Sequence, residues 1–477
     1  MHALESFFKF KANGTTLARD TVAGLTTFVV MSYIIFVNPG ILGLPTTDKG
    51  LPFAAALTST CLVAGVLSIL MGLVTNRAFA MAPGMGLNAI VAYQLVLGEG
   101  LSMGSAMGIV VLEGVVITVL VLVGLREAVF DAVPTQLKRA VGVGIGFFIL
   151  FIGLVNGGLV RPGPGPEQPV DLGDLVGVPV AVTAFGLAVT IIMMARRWKV
   201  AILLGIVLST ALATILNYVY DKKAFPADTG WAVVPSDVWA KPDFGLVGHF
   251  DFGAFAELGV IAACLWVFSV MLSDFFDTMG SVIGVGEQAG YLDEEGNLPD
   301  IKPVLIVDSL GAVAGGVCSS ASATTYVESG AGVGVGGRSG WVTVVTGLCF
   351  LAAMPFSPLA AIVPPQATAA ALIVVGYLMM MTLSRPESPR ESDGPLGRLT
   401  SAIDFSDLSF GLPAVLIMTV MPLTWSITNG IGAGFLSYVL IRLVRGEARK
   451  VPWLLWVFAG AFLLYFVFPL MRQEFGW

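Results

Sequence analysis

The stretch Ser319-Ser320-Ala321-Ser322-Ala323-Thr324-Thr325-Tyr326-Val327-Glu328-Ser329-Gly330-Ala331-Gly332 interrupts a long apolar region, and its reading decides the fold. Its Ser/Ala/Thr part suits an extended strand. The glycines that follow let another helix or a ligand approach the backbone. Glu328 stands where the strand gives way to a helical segment. A second interrupted segment, Phe79-Ala80-Met81-Ala82-Pro83-Gly84-Met85-Gly86-Leu87-Asn88-Ala89, occupies the equivalent place in the first half of the chain. A short strand feeding a half-helix points free N–H groups and a positive dipole end at the space before it. Glycines also serve plain close packing between helices, so they do not make a site by themselves.

Around these two segments the composition is that of a membrane protein. Of 477 residues, 56% are hydrophobic and 12% charged, and mean hydropathy is +0.87. Soluble domains carry roughly 25% charged residues. Apolar runs recur from Thr21 to Leu470, many of them near the roughly 20 residues that cross hydrocarbon. In lipid the backbone must satisfy its own hydrogen bonds, so the runs are read as helices. They lack the alternation of a membrane β-barrel. Without a basic patch, nucleic acid is not an expected partner. Cys61, Cys264, Cys318 and Cys349 have no CxxC spacing, and there are two histidines, His2 and His249. No metal site and no cofactor is therefore expected. The first residues lack the short apolar core and cleavage site of a signal peptide.

Fifteen apolar runs can be marked, seven before and eight after a polar segment. The organisation expected is an N-terminal cytoplasmic segment 1–18, a first seven-helix repeat 19–220, a polar connection 221–255 and a second repeat 256–470. Val133-Pro134-Thr135-Gln136 and Val363-Pro364-Pro365-Gln366 open corresponding runs of the two halves. An odd number of spans per repeat turns the second copy upside down, the plan of many secondary transporters. Lys9, Lys11, Arg19, Arg77, Arg126, Lys138, Arg139, Arg196, Arg197 and Lys199 fall on one side if the N-terminus is cytoplasmic, as positive loops are expected to do. The linker 385–404, rich in Ser, Pro, Arg and Glu, reads as a flexible loop on that same side.

In inverted-repeat folds the binding site lies at the midplane, where the interrupted helices meet. Acids inside apolar runs mark it further. Asp274 and Asp277 lie three apart in Ser273-Asp274-Phe275-Phe276-Asp277-Thr278, on one helical face. A charge at mid-bilayer costs roughly 2.5–3.5 kcal/mol on insertion scales, and such residues are functional by default. The plainer reading is a carboxylate that caps a broken helix or pairs with an arginine. Arg338, at the far end of its run, is the one cation in those spans. Asp277 fits the capping role best of the three acids, while Glu113 and Asp308 are read as structural. Phe79, Phe275, Phe276 and Tyr326 offer rings to stack on a flat ligand. With Asn88 and the hydroxyls, this set suits a flat, uncharged ligand bearing several donors and acceptors. A carboxyl that changes charge as its access alternates can couple proton flow to that ligand.

At these residues the sequence resembles the nucleobase–cation symporter-2 family, and within it the hypoxanthine/guanine/adenine permease branch. The resemblance spans about residues 5–470. It is carried by Ala80 to Ala89, by Asp274-Phe275-Phe276-Asp277-Thr278 and by Thr324 to Gly332. It implies an all-α polytopic protein of about fourteen transmembrane helices in two inverted sevens, with two short strands at broken helices 3 and 10. It also implies a substrate-carrying core (about 20–126 and 256–360) that slides like an elevator against a gate (about 134–220 and 363–470), usually as a homodimer. A bent or half-crossing helix within 408–445 would reconcile fifteen runs with fourteen. By the same resemblance, Glu328 and Asp274 hydrogen-bond the base and Asn88 matches a position important to purine carriers. Asp277 supports or couples. Ser329 stands where the uracil and xanthine branches usually carry Asn. The substrate-binding set expected is thus Asp274, Glu328, Asn88, Phe79, Phe275, Tyr326, Ser329 and Gly330, with Glu328, Asp274 and Asp277 as proton-coupling or supporting groups. The expected activity is proton-coupled import of adenine, guanine or hypoxanthine across the cytoplasmic (inner) membrane.

Three other classes fit the residues less well. An anion transporter of the same fold would bring like charges together where screening is poor. A channel needs rings of repeated ligands. An intramembrane aspartyl enzyme needs two carboxylates about 3 Å apart sharing a proton, whereas Asp274 and Asp277 lie along one face.

Overall fold

The computed structural model of the chain describes residues 2–44, 47–125, 132–165, 168–225, 231–293, 298–381 and 403–475. Most of the linker 385–404 lies outside them. Among the described residues nine helices are long and apolar enough to cross a membrane, and shorter apolar helices supplement them. Glycine, proline and polar clusters punctuate the apolar sequence, and helices form between them because each then satisfies its backbone internally.

After a short α1 (His2–Phe8) the first half runs α2 (Leu17–Met31), α3 (Ile34–Leu42), α4 (Phe53–Thr75), strand β1 (Met81–Pro83), α5 (Met85–Ala89), α6 (Met103–Leu122), α7 (Thr135–Asn156), α8 (Val178–Ala195) and α9 (Ala201–Val219). A hairpin of β2 (Val160–Gly165) and β3 (Gln168–Leu172) joins α7 to α8. The second half runs α10 (Ala254–Leu258), α11 (Val260–Ala289), α12 (Ile301–Val317), β4 (Ala323–Thr325), α13 (Ser329–Val333), α14 (Trp341–Ala353), α15 (Ser357–Ala360), α16 (Pro365–Met380), α17 (Leu408–Leu423), α18 (Ile427–Val444) and α19 (Trp453–Phe475).

The packing of one half repeats in the other. α4 packs on α14 as α12 packs on α6, α8 on α16 as α17 on α7, and α8 on α9 as α17 on α18. α16 and α7, which correspond to each other, meet directly. This is the inverted-repeat plan. The surplus fifteenth run is not absorbed by a bend within 408–445. α17 and α18 are separate helices that mirror α8 and α9, and α19, packed on α18 and α11, has no counterpart. Close approach sets these contacts. A Cβ on Gly376 would lie 2.4 Å from the Gly146 carbonyl oxygen, and one on Gly340 would lie 2.0 Å from that of Gly72.

The two interrupted segments meet as expected. β1 and β4 pair antiparallel in the interior, Met81 opposite Thr325, Ala82 opposite Thr324 and Pro83 opposite Ala323. Flanking bonds from Gly84 N–H to the Ser322 carbonyl (2.8 Å) and from Tyr326 N–H to the Ala80 carbonyl (2.9 Å) extend the ladder. Buried strand edges must be satisfied, and the two halves do this in mirrored fashion. Ser68 of α4 bonds both the N–H and the carbonyl of Met81 (2.9 and 3.0 Å). Asp308 of α12 accepts from Thr325 N–H (3.2 Å) and from the Thr278 hydroxyl (2.8 Å). Beyond β1, α5 continues as a π-helix from Ile90 to Gly98. Beyond β4, α13 has five residues, so the half-helix dipole expected there is that of little more than one turn.

The connecting segment binds across the ends of both halves. Ala240 N–H reaches the Pro355 carbonyl (2.8 Å), Gly248 N–H that of Val317 (2.8 Å) and Asp251 N–H that of Gly104 (3.1 Å).

Candidate functional site

A cavity of about 270 Å³ opens beside the strand crossing. Its inner end is built by Tyr33 from the α2–α3 junction, Met85 and Gly86 of α5, Phe276 and Asp277 of α11, and Thr325 to Glu328 after β4. Ile145 and Ile149 of α7 and Val375, Leu378 and Met379 of α16 form an apolar wall. Thr135, Lys138 and Arg139 at the start of α7, with Glu287 near the end of α11, line its outer part.

The acids are placed by local structure. Glu328 directly precedes α13, and its Oε1 accepts a hydrogen bond of 2.6 Å from the Tyr33 hydroxyl. Asp277 accepts from the Thr324 hydroxyl at 3.3 Å. Asp274, one helical turn earlier and fully buried, accepts from the Ser322 hydroxyl at 3.1 Å. Each α11 carboxylate thus meets a hydroxyl of the β4 segment, Asp277 on the cavity and Asp274 behind it. Arg338 does not turn toward them; its guanidinium donates to the Val333 and Gly337 carbonyls, both at 2.7 Å.

Of the residues expected at the site, Glu328, Tyr326 and Asp277 line the cavity. The Tyr326 hydroxyl donates to the Pro83 carbonyl. The others lie behind the wall. Asn88 donates to Asn38 Oδ1 (2.9 Å), and Asn38 donates to Thr60 Oγ1 (2.8 Å) and the Ser320 carbonyl (3.2 Å), a buried amide network that ties α3 and α5 to α4 and the β4 segment. Phe79 packs edge-on against Tyr291 with ring centroids 5.8 Å apart. Phe275 packs edge-on against Phe276, and Phe276 is the ring that reaches the cavity. Ser329 Oγ accepts from Ala80 N–H (2.9 Å), locking α13 to the entry of β1. Gly330 faces Gln288, whose Oε1 would lie 2.4 Å from a Cβ there. Tyr33 and Thr325 were not anticipated. Pro39, within α3, is the sequence signal that the first apolar run is irregular.

Asp308 carries a separate expectation. It anchors the edge of β4, so Asp308→Ala should strand a buried N–H, at a cost of about 1–3 kcal/mol. Thermal melting of the purified protein reads this: a lower midpoint is expected, and an unchanged one would remove Asp308 from the strand's support.

The site offers acidic and phenolic groups at one end and apolar side chains around them. Carboxylate and phenol oxygens there can accept hydrogen bonds from N–H groups along the edge of a ligand. Among the described residues no group of three or more His, Cys, Asp or Glu is disposed to hold a metal.

Residues 19–390 match the profile of the Permease family Xan_ur_permease. The chain is similar to the adenine permease AdeP of Escherichia coli (strain K12), 36% identical over 465 residues, covering 98% of this chain and 96% of that one. It is equally similar to the guanine/hypoxanthine permease PbuG of Bacillus subtilis (strain 168), 36% identical over 473 residues, covering 98% and 100%. In fold it resembles the transmembrane domain of a cyanobacterial bicarbonate transporter, BicA, with a TM-score of 0.59, 15% identity, and 85% of this chain and 96% of that one covered.

Proposed function

The chain belongs to this permease family, the nucleobase–cation symporter-2 family, and from that premise we propose that it imports purine nucleobases together with protons. A multi-pass membrane protein of a permease family carries its substrate across the bilayer, and relatives 36% identical over nearly the full chain are named for adenine and for guanine and hypoxanthine. One observation carries the reading: the cavity ends on Glu328, held by Tyr33, with Asp277 and Phe276 beside it. A carboxylate facing the N–H edge of a purine is a charge-assisted acceptor, and Phe276 and Tyr326 offer faces to its rings. Asp274 and Asn88 support that surface from behind.

The transport cycle in this reading alternates access by an elevator motion of the core, α2–α6 with α10–α15, against the gate, α7–α9 with α16–α19. The protein works as a homodimer in the cytoplasmic membrane with its N-terminus cytoplasmic. The cavity mouth then faces the cytoplasm. The opposite end is closed by contacts between the two bodies: the Ser426 hydroxyl donates to Gln94 Oε1 at 3.1 Å, Trp425 packs edge-on against Tyr93 at 5.3 Å, and Ser269 and Thr428 share a hydrogen bond. Ser269 and Glu287 stand eighteen residues apart on α11, about 27 Å along its axis. Such contacts must break for the site to open outward.

The test is uptake of labelled adenine, hypoxanthine, guanine and uracil in a strain without its own permeases, with and without a protonophore. Purine uptake that collapses with the protonophore is expected. An anion transporter is the reading that the structural resemblance to BicA raises, and acids at the cavity's inner end oppose it. Bicarbonate uptake without purine uptake would establish it instead.

A further inference from the structure

We infer that Tyr33 is a positioning and specificity-determining residue of the substrate site. The inference rests on the reading of Glu328 as the group that meets the substrate.

The first membrane segment is a third interrupted element. α2 ends at Met31 and α3 begins at Ile34; between them Ser32 and Tyr33 keep helical dihedrals, but the helix tightens into a turn whose Ile35 and Phe36 N–H groups reach back three residues, to the Ser32 and Tyr33 carbonyls (both 3.1 Å). The turn is held at both ends. The Ser32 hydroxyl donates to the Val29 carbonyl (2.8 Å). Four residues into α3, Asn38 is fixed by Thr60, Asn88 and the Ser320 carbonyl. Tyr33 therefore leaves the backbone at a defined angle, 1% exposed, and its side chain reaches the cavity wall.

What it does there follows from its bond to Glu328. A glutamate has three rotatable side-chain bonds, and freezing them on substrate arrival costs entropy. With Oε1 already held at 2.6 Å by Tyr33, the carboxylate stands ready before substrate binds, which is preorganisation. The phenol oxygen, having donated its hydrogen, retains acceptor capacity. Glu328 and Tyr33 together present acceptors, a surface that selects ligand edges rich in N–H groups. A ligand offering a carbonyl there meets an acceptor, and such mismatches at a buried polar site are strongly rejected. If Tyr33 were only a packed ring, its hydroxyl would be dispensable.

Tyr33→Phe removes that oxygen and keeps the ring. The KM for the purine that the wild type transports is expected to rise about tenfold, equivalent to about 1.4 kcal/mol. Maximal rate per membrane copy should stay within about twofold, because positioning acts on binding. As a second measurement, the purified Tyr33→Phe protein should lose most of its purine-induced thermal shift while its ligand-free melting temperature holds. A wild-type KM, or an unchanged purine-induced thermal shift, would overturn the assignment and leave the proposed transport standing. A ligand-free melting temperature that falls together with the shift would make Tyr33 merely structural. Absence of purine uptake by the wild type would overturn the transport reading and this inference with it.

Discussion

Membranes carrying Glu328→Gln are expected to exchange purine across the bilayer yet fail to concentrate it, the accumulation ratio falling to about one under an imposed proton gradient. Glutamine keeps the length and shape of the side chain, and its carbonyl oxygen can still accept from the Tyr33 hydroxyl, as Glu328 Oε1 does at 2.6 Å. It has no proton to release or bind. The ligand-facing geometry should therefore survive while the link between proton and substrate is cut. A coupled carrier at 60 mV of proton-motive force concentrates its substrate about tenfold, since 1.4 kcal/mol is a factor of ten. Counterflow in membrane vesicles separates the two effects. Label entering against preloaded cold purine reports the site, and label accumulated under a pH gradient reports coupling. Retained counterflow with no accumulation identifies Glu328 as the coupling carboxyl. Full accumulation would move that role elsewhere, first to Asp277, the other carboxylate on the inner cavity wall.

The strand crossing was legible because its signals are local. Small residues before closely spaced glycines, twice and in corresponding places, leave few options inside a membrane. The structure adds what the sequence did not state, the antiparallel pairing of Met81–Pro83 with Ala323–Thr325. Asp308 was read as structural, and its bonds to Thr325 and Thr278 are of that kind. What stayed hidden depended on rotation and on long-range contact. Asp274 and Asp277 lie on one face of α11, yet a turn of that helix by a few tens of degrees decides which of them touches the cavity. The same rotation separates Phe275 from Phe276. Tyr33 sits inside the run 20–42, where an apolar, β-branched surrounding masks a break. Only the partner some 300 residues away reveals its purpose. The hairpin of residues 160–172 was missed because it falls between two apolar runs. The surplus helix Trp453–Phe475 has the composition of any other span; its lack of a counterpart shows only in packing.

Gly376→Leu is expected to remove most folded protein from the membrane, a larger effect than any change confined to the cavity. Helices in lipid gain little from burying apolar side chains against one another, so their contact relies on close backbone approach at small residues. α7 and α16 meet in this way. A Cβ on Gly376 would come within 2.4 Å of the Gly146 carbonyl oxygen and 2.7 Å of the Leu150 backbone nitrogen, and one on Gly146 within 2.7 Å of the Gly376 carbonyl oxygen. The atoms in the way are backbone, which no rotamer change can move. Overpacking a well-packed core costs typically 1–3 kcal/mol, and here both helices must separate to admit even a methyl group. They are also the helices whose Ile145, Ile149, Val375 and Met379 wall the cavity, so separation would deform the site as well. Gly460→Leu is the matched control, because nothing lies within 4 Å of a Cβ there. Size-exclusion of detergent-extracted fluorescent fusions compares the two. A monodisperse Gly376→Leu protein melting at the wild-type temperature would mean that α7 and α16 can part without loss, and that their contact is a sliding surface instead of a fixed joint. The two wall faces of the cavity would then move independently. An elevator whose gate stays rigid requires the opposite result.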